Sequence, residues 1–225
     1  MSGSSPWSRP ETVAGFVQSP PNDRLMGFAD WARRASTAGR ALDIGCGAAR
    51  NGVPLAARGW HVVGLDSSQP MLLAAASRAR DEGVAGRLDL VEARMDALPV
   101  AGRSFDLIVA HGIWNLARSG AEFRVAVREA ARAAAPGAAL FVFTFSRHTI
   151  PEQAKPLAGE TFVFTEFAGE PQCFLTEEQL VEELGLAGFV PVPEWPVREH
   201  NRRAPGAVVA GGPPVIYEAG FAYAL

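Results

Sequence analysis

Ala41-Leu42-Asp43-Ile44-Gly45-Cys46-Gly47-Ala48-Ala49-Arg50-Asn51 reads as a buried strand that ends in a glycine turn, with a helix starting just after. The next apolar run, Val62-Val63-Gly64-Leu65-Asp66, ends on an acid. A glycine turn between strand and helix lets backbone approach a ligand closely. An acid at the end of the second strand is placed to accept bonds from ribose hydroxyls. Together the two segments point to an adenosine-containing cofactor.

Working outward, strands and helices alternate. Arg24 to Arg34 has helical spacing, with Leu25, Phe28, Ala29 and Ala32 on one face. Strands are expected at 40–44, 61–65, 87–92, 105–110 and 139–145. Helices are expected at 51–58, after Ser67 or Ser68, at 122–135 (stopped by Pro136-Gly137) and at 176–186 with Thr176 as cap. Two late strands are expected near Val190 to Val197 and Val215 to Tyr223, joined by a Pro/Gly-rich loop, Pro205 to Pro214. Alternation of this kind means right-handed crossovers and a parallel sheet covered on both faces. The late pair adds an antiparallel hairpin at one edge. The expected fold is therefore α/β: a Rossmann-like, mostly parallel seven-stranded sheet in a three-layer α/β/α sandwich. In such sheets ligands sit outside the carboxyl ends of the strands, which directs attention to 45–51, 66–71, 93–99 and 110–118.

Bulk properties exclude several classes. The chain has 225 residues, which suits one domain with some decoration. A formal net charge of −3 argues against a nucleic-acid surface. Cys46 and Cys173 are the two cysteines, too few for a disulfide framework or a metal cluster, so no metal is expected. The first residues lack the layout of a signal peptide. The longest apolar run, Ala138 to Phe143, is far short of the roughly 20 residues of a membrane helix. A cytoplasmic protein without membrane or nucleic-acid partners is expected, its oligomeric state left open. One lysine, Lys155, against many arginines suggests a GC-rich bacterial source.

The turn departs from the dinucleotide fingerprint, because Arg50 stands where the third glycine belongs. A nicotinamide-dependent oxidoreductase is accordingly disfavoured. Asp96, in Arg94-Met95-Asp96-Ala97-Leu98-Pro99, lies just past the third strand, where its carboxylate would accept a bond from an adenine amino group.

Five segments, in order and spacing, resemble class I S-adenosylmethionine-dependent methyltransferases: Asp43 to Gly47, Gly64 to Ser68, Met95 to Pro99, Phe105 to Val109 and Ala135 to Leu140. The resemblance covers roughly residues 38–146. The run Cys46 to Asn51 with Leu55 to Gly59 is similar to the bacterial branch that includes tellurite-resistance methyltransferases. The family often has glycine where this chain has Ala49; alanine is expected to be tolerated there at negative φ. The resemblance implies S-adenosylmethionine as cofactor, S-adenosylhomocysteine as product and a small-molecule methyl acceptor. It places backbone at Gly45, Cys46 and Gly47 against the methionine part. Asp43 would orient the ammonium group, Arg50 would meet the carboxylate, Asp66 with Ser67 would hold the ribose, and Asp96 with Ala97 would read the adenine. Met71 and Met95 would flank the ring.

His111, in Ala110-His111-Gly112-Ile113-Trp114-Asn115, falls where the family places the border between cofactor and acceptor. It would bond the cofactor or take a proton from the nucleophile. Trp114 would stack on a planar acceptor or shield the sulfonium. Two flanking segments, 1–36 and 147–172, carry aromatics and are read as lids over the 37–225 domain. Their candidate residues are Phe16, Phe28, Trp31, Phe162, Phe164 and Phe167, with Arg147 and His148 overhanging the site. Residues 1–22 are read as a mobile tail and Ser19-Pro20-Pro21-Asn22 as a plain proline turn. A catalytically silent cofactor-binding module is the alternative. A methyltransferase for thiol-bound arsenic is disfavoured by the scarcity of cysteine.

Overall fold

The computed structural model describes residues 6–36, 38–167, 169–202 and 213–225. Most of the expected Pro205 to Pro214 loop, and the first five residues of the expected tail, lie outside these.

Two helices precede the sheet, α1 (Pro10–Gln18) and α2 (Asp23–Arg33). The central order is β1 (Arg40–Ile44), α3 (Gly52–Ala57), β2 (His61–Asp66), α4 (Gln69–Asp81), β3 (Leu88–Glu92), β4 (Phe105–His111), α5 (Gly120–Ala133) and β5 (Ala134–Phe145). A short pair, β6 (Val163–Phe164) and β7 (Gln172–Cys173), stands apart. The chain closes with α6 (Glu177–Gly185), β8 (Phe189–Pro191), β9 (Arg198–His200) and β10 (Ile216–Tyr223).

The sheet runs β3-β2-β1-β4-β5-β10-β8, with β9 on the same flank of β10 as β8. The first five strands are parallel and β10 is antiparallel to β5. Eight strands thus fill seven positions, because the expected 190–197 strand is broken into two short pieces around Trp195. Strand order reverses between β1 and β4, which opens the carboxyl edge there for a ligand.

The strand alternation sets the two cores. Leu42, Ile44, Ile108, Ala110, Leu140 and Val142 face α5 and α6. Ala41, Leu107, Val109 and Phe141 face α2, α3 and α4. Asp43 points to this second face and is 2% exposed. Gly220 on β10 lets α2 approach, since a Cβ there would stand 2.4 Å from the Phe28 ring and 2.7 Å from Trp195.

Two boundaries and one backbone conformation differ from expectation. The 1–22 tail holds α1, with Pro10 in its first turn and Glu11 beside its N-terminus. Helix α5 ends at Ala133, because Pro136 disfavours helical backbone at Ala135 and the chain enters β5 early. Ala49 has φ 54, so the alanine stands in left-handed backbone rather than at negative φ. Such a position costs a non-glycine residue about 1 kcal/mol. The Thr176 cap is as expected, forming a full capping box with Gln179.

Candidate functional site

The glycine turn is closed by β2. Gly45 and Cys46 donate their N–H groups to Leu65 O at 2.7 and 2.9 Å, and Gly47 donates to Asp66 Oδ2 at 2.9 Å. Gly45 and Gly47 have φ of 71 and 54. Side chains line the turn from outside: a Cβ on Gly45 would meet Ile113 at 2.7 Å, and one on Gly47 would meet Phe16 at 3.3 Å and Met71 Sδ at 4.0 Å. Gly47 is therefore a cradle between Phe16 of α1 and Met71 of α4. Cys46 turns inward instead, its Sγ 3.0 Å from where a Gly64 Cβ would stand. Burial holds that thiol well above its ordinary pKa, so only the Cys46 backbone is available to a ligand.

Asp43 lies beneath the turn, and its Oδ2 is buried without a hydrogen-bond partner. Burial raises its pKa to about 7, Asp66 adding to the rise and Arg50 opposing it. A buried carboxyl lacking a partner suits a cationic ligand. Asp66 accepts from Gly47 N and, through Oδ1, from Ser68 N at 2.8 Å. Burial raises its pKa too, while these N–H groups hold it down. The two bonds aim the carboxylate and leave lone pairs for further donors. The donor set and the glycine cradle fit the adenosylated amino acid that the sequence implies.

The adenine side is looser. Asp96 is gripped by Arg94 at 2.9 and 2.8 Å, and Arg94 also reaches Glu122. These bonds hold the Asp96 carboxyl below its usual pKa. Met71 is buried, Met95 half-buried, and Ser67 and Ala97 exposed.

Across the switch point stands a second polar group of residues. His111 ends β4 and stacks on Phe143, ring centroids 4.2 Å apart. Arg50 Nη2 lies 3.3 Å from both ring nitrogens. Asn22 Nδ2 lies 3.2 Å from Nε2 and also donates to Glu218 of β10. Burial, then Arg50, hold the His111 pKa down to about 3. A ring so reluctant to charge is a poor base at neutral pH, which weighs against the expected proton-taking role. Arg50 is itself lowered by burial, with Asp43 and Glu218 pulling the other way. Glu218 is 7% exposed, and its Oε2 is 3.1 Å from His200 Nε2.

Other expectations fail on geometry. Trp114 is 1% exposed and packs edge-on against Phe123, so it has no open face for an acceptor. Phe28, Phe162 and Phe164 are core residues rather than lid residues. Phe28 stacks with Trp31 and packs on Phe141. Arg147 is a staple: its guanidinium donates to the carbonyls of Ile150, Pro151, Glu152 and Ala154 and covers Phe164. His148 pairs with Glu199 at 2.6 Å and approaches Ser146 and Arg202. Of the named lid residues, Phe16 lies against the glycine turn.

Asn22, Asn51 and Glu218 were missed. Asn51 is 4% exposed and accepts from Asn22 N. Their signal was faint: a cap-type residue after two prolines, and an acid inside a strand otherwise apolar.

Residues 41–137 match the family model described as a methyltransferase domain. The chain is similar to the ubiquinone/menaquinone biosynthesis C-methyltransferase UbiE of Sinorhizobium fredii, 39% identical over 100 residues, which are 44% of this chain and 37% of that protein. It is also similar to a ubiquinone biosynthesis O-methyltransferase of Azorhizobium caulinodans, 30% identical over 153 residues, or 67% of this chain and 58% of that protein. The matches thus span less than two thirds of either relative. Among solved structures, an S-adenosylmethionine-dependent methyltransferase from Methanosarcina mazei shares the fold, with a TM-score of 0.67 at 22% identity over 83% of this chain and 92% of that one.

Proposed function

We infer that this chain, a class I S-adenosylmethionine-dependent methyltransferase by its domain and fold, moves a methyl group to a small-molecule acceptor by in-line displacement. The carrying observation is the buried, partnerless Asp43 Oδ2 beneath a turn whose Gly47 N–H already aims Asp66. When bound, the cofactor supplies an activated methyl on a sulfonium, so the protein has mainly to align and to exclude water. Asp43 orients the ammonium, Arg50 meets the carboxylate, and the Gly45 to Gly47 backbone carries the methionine part. Asp66 and Ser67 hold the ribose. Asp96, Ala97, Met71 and Met95 receive the adenine, which requires the Arg94 grip on Asp96 to share the carboxylate. His111 stands uncharged at the acceptor border.

Residues 6–18 act as a lid through Phe16. Supporting contacts run from Ser68 Oγ to Trp7 O and to Ser8 Oγ, each at 3.2 Å. The 147–172 segment braces the rim through Arg147 and His148 more than it covers the site. The relatives are named for quinone biosynthesis, so a small aromatic ring, methylated on carbon or oxygen, is the first acceptor class to try. The reading includes a cytoplasmic bacterial protein; the relatives are bacterial and both cysteines are free and buried. No helix among the described residues is long and apolar enough to cross a membrane. Kinship with the tellurite-resistance branch stays part of the proposal.

Titration calorimetry with S-adenosylmethionine, S-adenosylhomocysteine and NAD tests the reading. Binding of the first two without NAD is expected. Preference for NAD would overturn it, and tight binding with no S-adenosylhomocysteine release across an acceptor panel would favour the silent module.

A further inference from the structure

Asn22 stands where the chain enters α2, and all its polar atoms are engaged. Its Oδ1 caps the helix by accepting from Leu25 N at 2.9 Å. Its backbone N–H donates to Asn51 Oδ1 at 3.0 Å. Its Nδ2 faces Glu218 Oε1 and His111 Nε2. The amide has one workable orientation. Turned over, its NH₂ would oppose the Leu25 N–H and its oxygen would oppose the Glu218 carboxylate. Both Nδ2 hydrogens are therefore spent, one on Glu218 and one on His111, and Nε2 must accept. A neutral imidazole that accepts at Nε2 carries its hydrogen on Nδ1. Arg50 Nη2, also only a donor, lies 3.3 Å from both nitrogens; it opposes a charge on the ring without choosing between them, so the choice falls to Asn22.

The two prolines before Asn22 give this contact its geometry. Pro20 and Pro21 fix φ and have no N–H, so the chain arrives extended, with Asn22 at φ −82 and ψ 113. The side chain is then held by the start of α2 on one side and by β4 and β10 on the other.

We propose that Asn22 is a positioning residue that sets His111 in its Nδ1–H tautomer and joins the N-terminal segment, the glycine turn and β10 into one unit at the acceptor border. The tautomer rests on the Asn22 contact, at 3.2 Å the shorter of the two approaches to Nε2. Its consequence rests on the methyl-transfer reading: His111 then stays uncharged at the acceptor border, with no free lone pair to take a proton.

The test is long-range proton–nitrogen NMR on the labelled full chain, with His111 identified by the signals lost in His111→Gln. The wild type is expected to show a protonated Nδ1 and an unprotonated Nε2. Asn22→Asp keeps a good helix cap but offers the ring a carboxylate, so the hydrogen should move to Nε2. Asn22→Ser also caps and is too short to reach, so a bias worth about tenfold, one hydrogen bond, should be lost. An Nε2–H ring in the wild type, or one tautomer unchanged across the variants that fold, overturns the proposal. Should Asn22→Asp not fold, the wild type and Asn22→Ser still decide. Calorimetry with S-adenosylmethionine on the same samples separates the two readings. Cofactor binding beside the wrong tautomer sinks the role of Asn22 alone, whereas the right tautomer without cofactor binding sinks methyl transfer alone.

Discussion

Under the glycine turn, Asp43, Gly47, Asp66 and Met71 come from one short stretch of chain. Across the switch point, Asn22 and Glu218 meet although 196 residues separate them. The first group is assembled by β1 and β2 lying side by side in parallel, Asp43 beside Gly64 in register. The second needs α2, the glycine turn, β4 and β10 all in place. The difference teaches that cofactor recognition is a property of a supersecondary unit, while the acceptor border is a property of the whole fold. It also divides the charges. Asp43 sits buried with its Oδ2 free of hydrogen bonds, open to a cation, whereas His111 is approached by the donors of Asn22 and Arg50.

The comparison can be broken most forcefully at Asp66. Asp66→Ala should weaken S-adenosylmethionine binding by at least about a hundredfold, the worth of two bonds to a charged group. Unchanged affinity by calorimetry would mean that the cofactor half is misplaced. His111→Ala should leave that affinity within about threefold yet lower turnover by about tenfold or more, as expected of one lost polar contact at the reacting end. His148→Ala, at the half-exposed pair with Glu199, should do neither. Equal losses in the two histidine variants would erase the distinction between border and rim.

Asp43 sharpens the comparison through pH. Its folded pKa, about 7, lies above its ordinary value of 3.8, so the native state holds the proton longer than the unfolded chain does. Its ionisation therefore costs stability progressively as pH rises from about 4 to about 7, and the full cost applies above that. Asp43→Asn should melt higher than wild type in mildly alkaline buffer and lose that advantage in acid. Melting curves that differ equally at both pH values would refute the buried, partnerless state. Ala49→Gly should have the smallest effect, a gain of about 0.5 kcal/mol in denaturant unfolding, because glycine relieves the left-handed position but gives back entropy in the unfolded chain.

Legibility followed the same divide. The strand–turn–helix around Gly45 to Gly47 was readable because period-2 burial, glycine and a terminal acid are local signals. Asp66 was named on that basis, whereas Asp43 and Met71 came from the family resemblance. His111 was found from its place after a strand, but its charge state was not, because the lowering agents are burial and Arg50 in space. Trp114 misled because an aromatic after a strand looks the same whether it faces the site or α5. Asn22 and Glu218 were invisible: one passed for a turn residue and the other for a strand acid, and only the meeting of α2 with β10 gives them meaning. Ala49 shows the limit of a one-residue argument, since the turn imposes φ 54 whatever the side chain prefers.

The broken strand at the far flank of β10 has a consequence of its own. An unpaired sheet edge is a template for another chain, and long, flat, apolar edges invite fibre-like association. Here that edge is divided into Phe189–Pro191 and Arg198–His200, three residues each. Pro191, Pro193 and Pro196 remove three backbone donors from the flank between and beside them. Among the described residues no stretch of strand along it exceeds three residues, so this side of the sheet offers a stranger's strand only short, interrupted purchase.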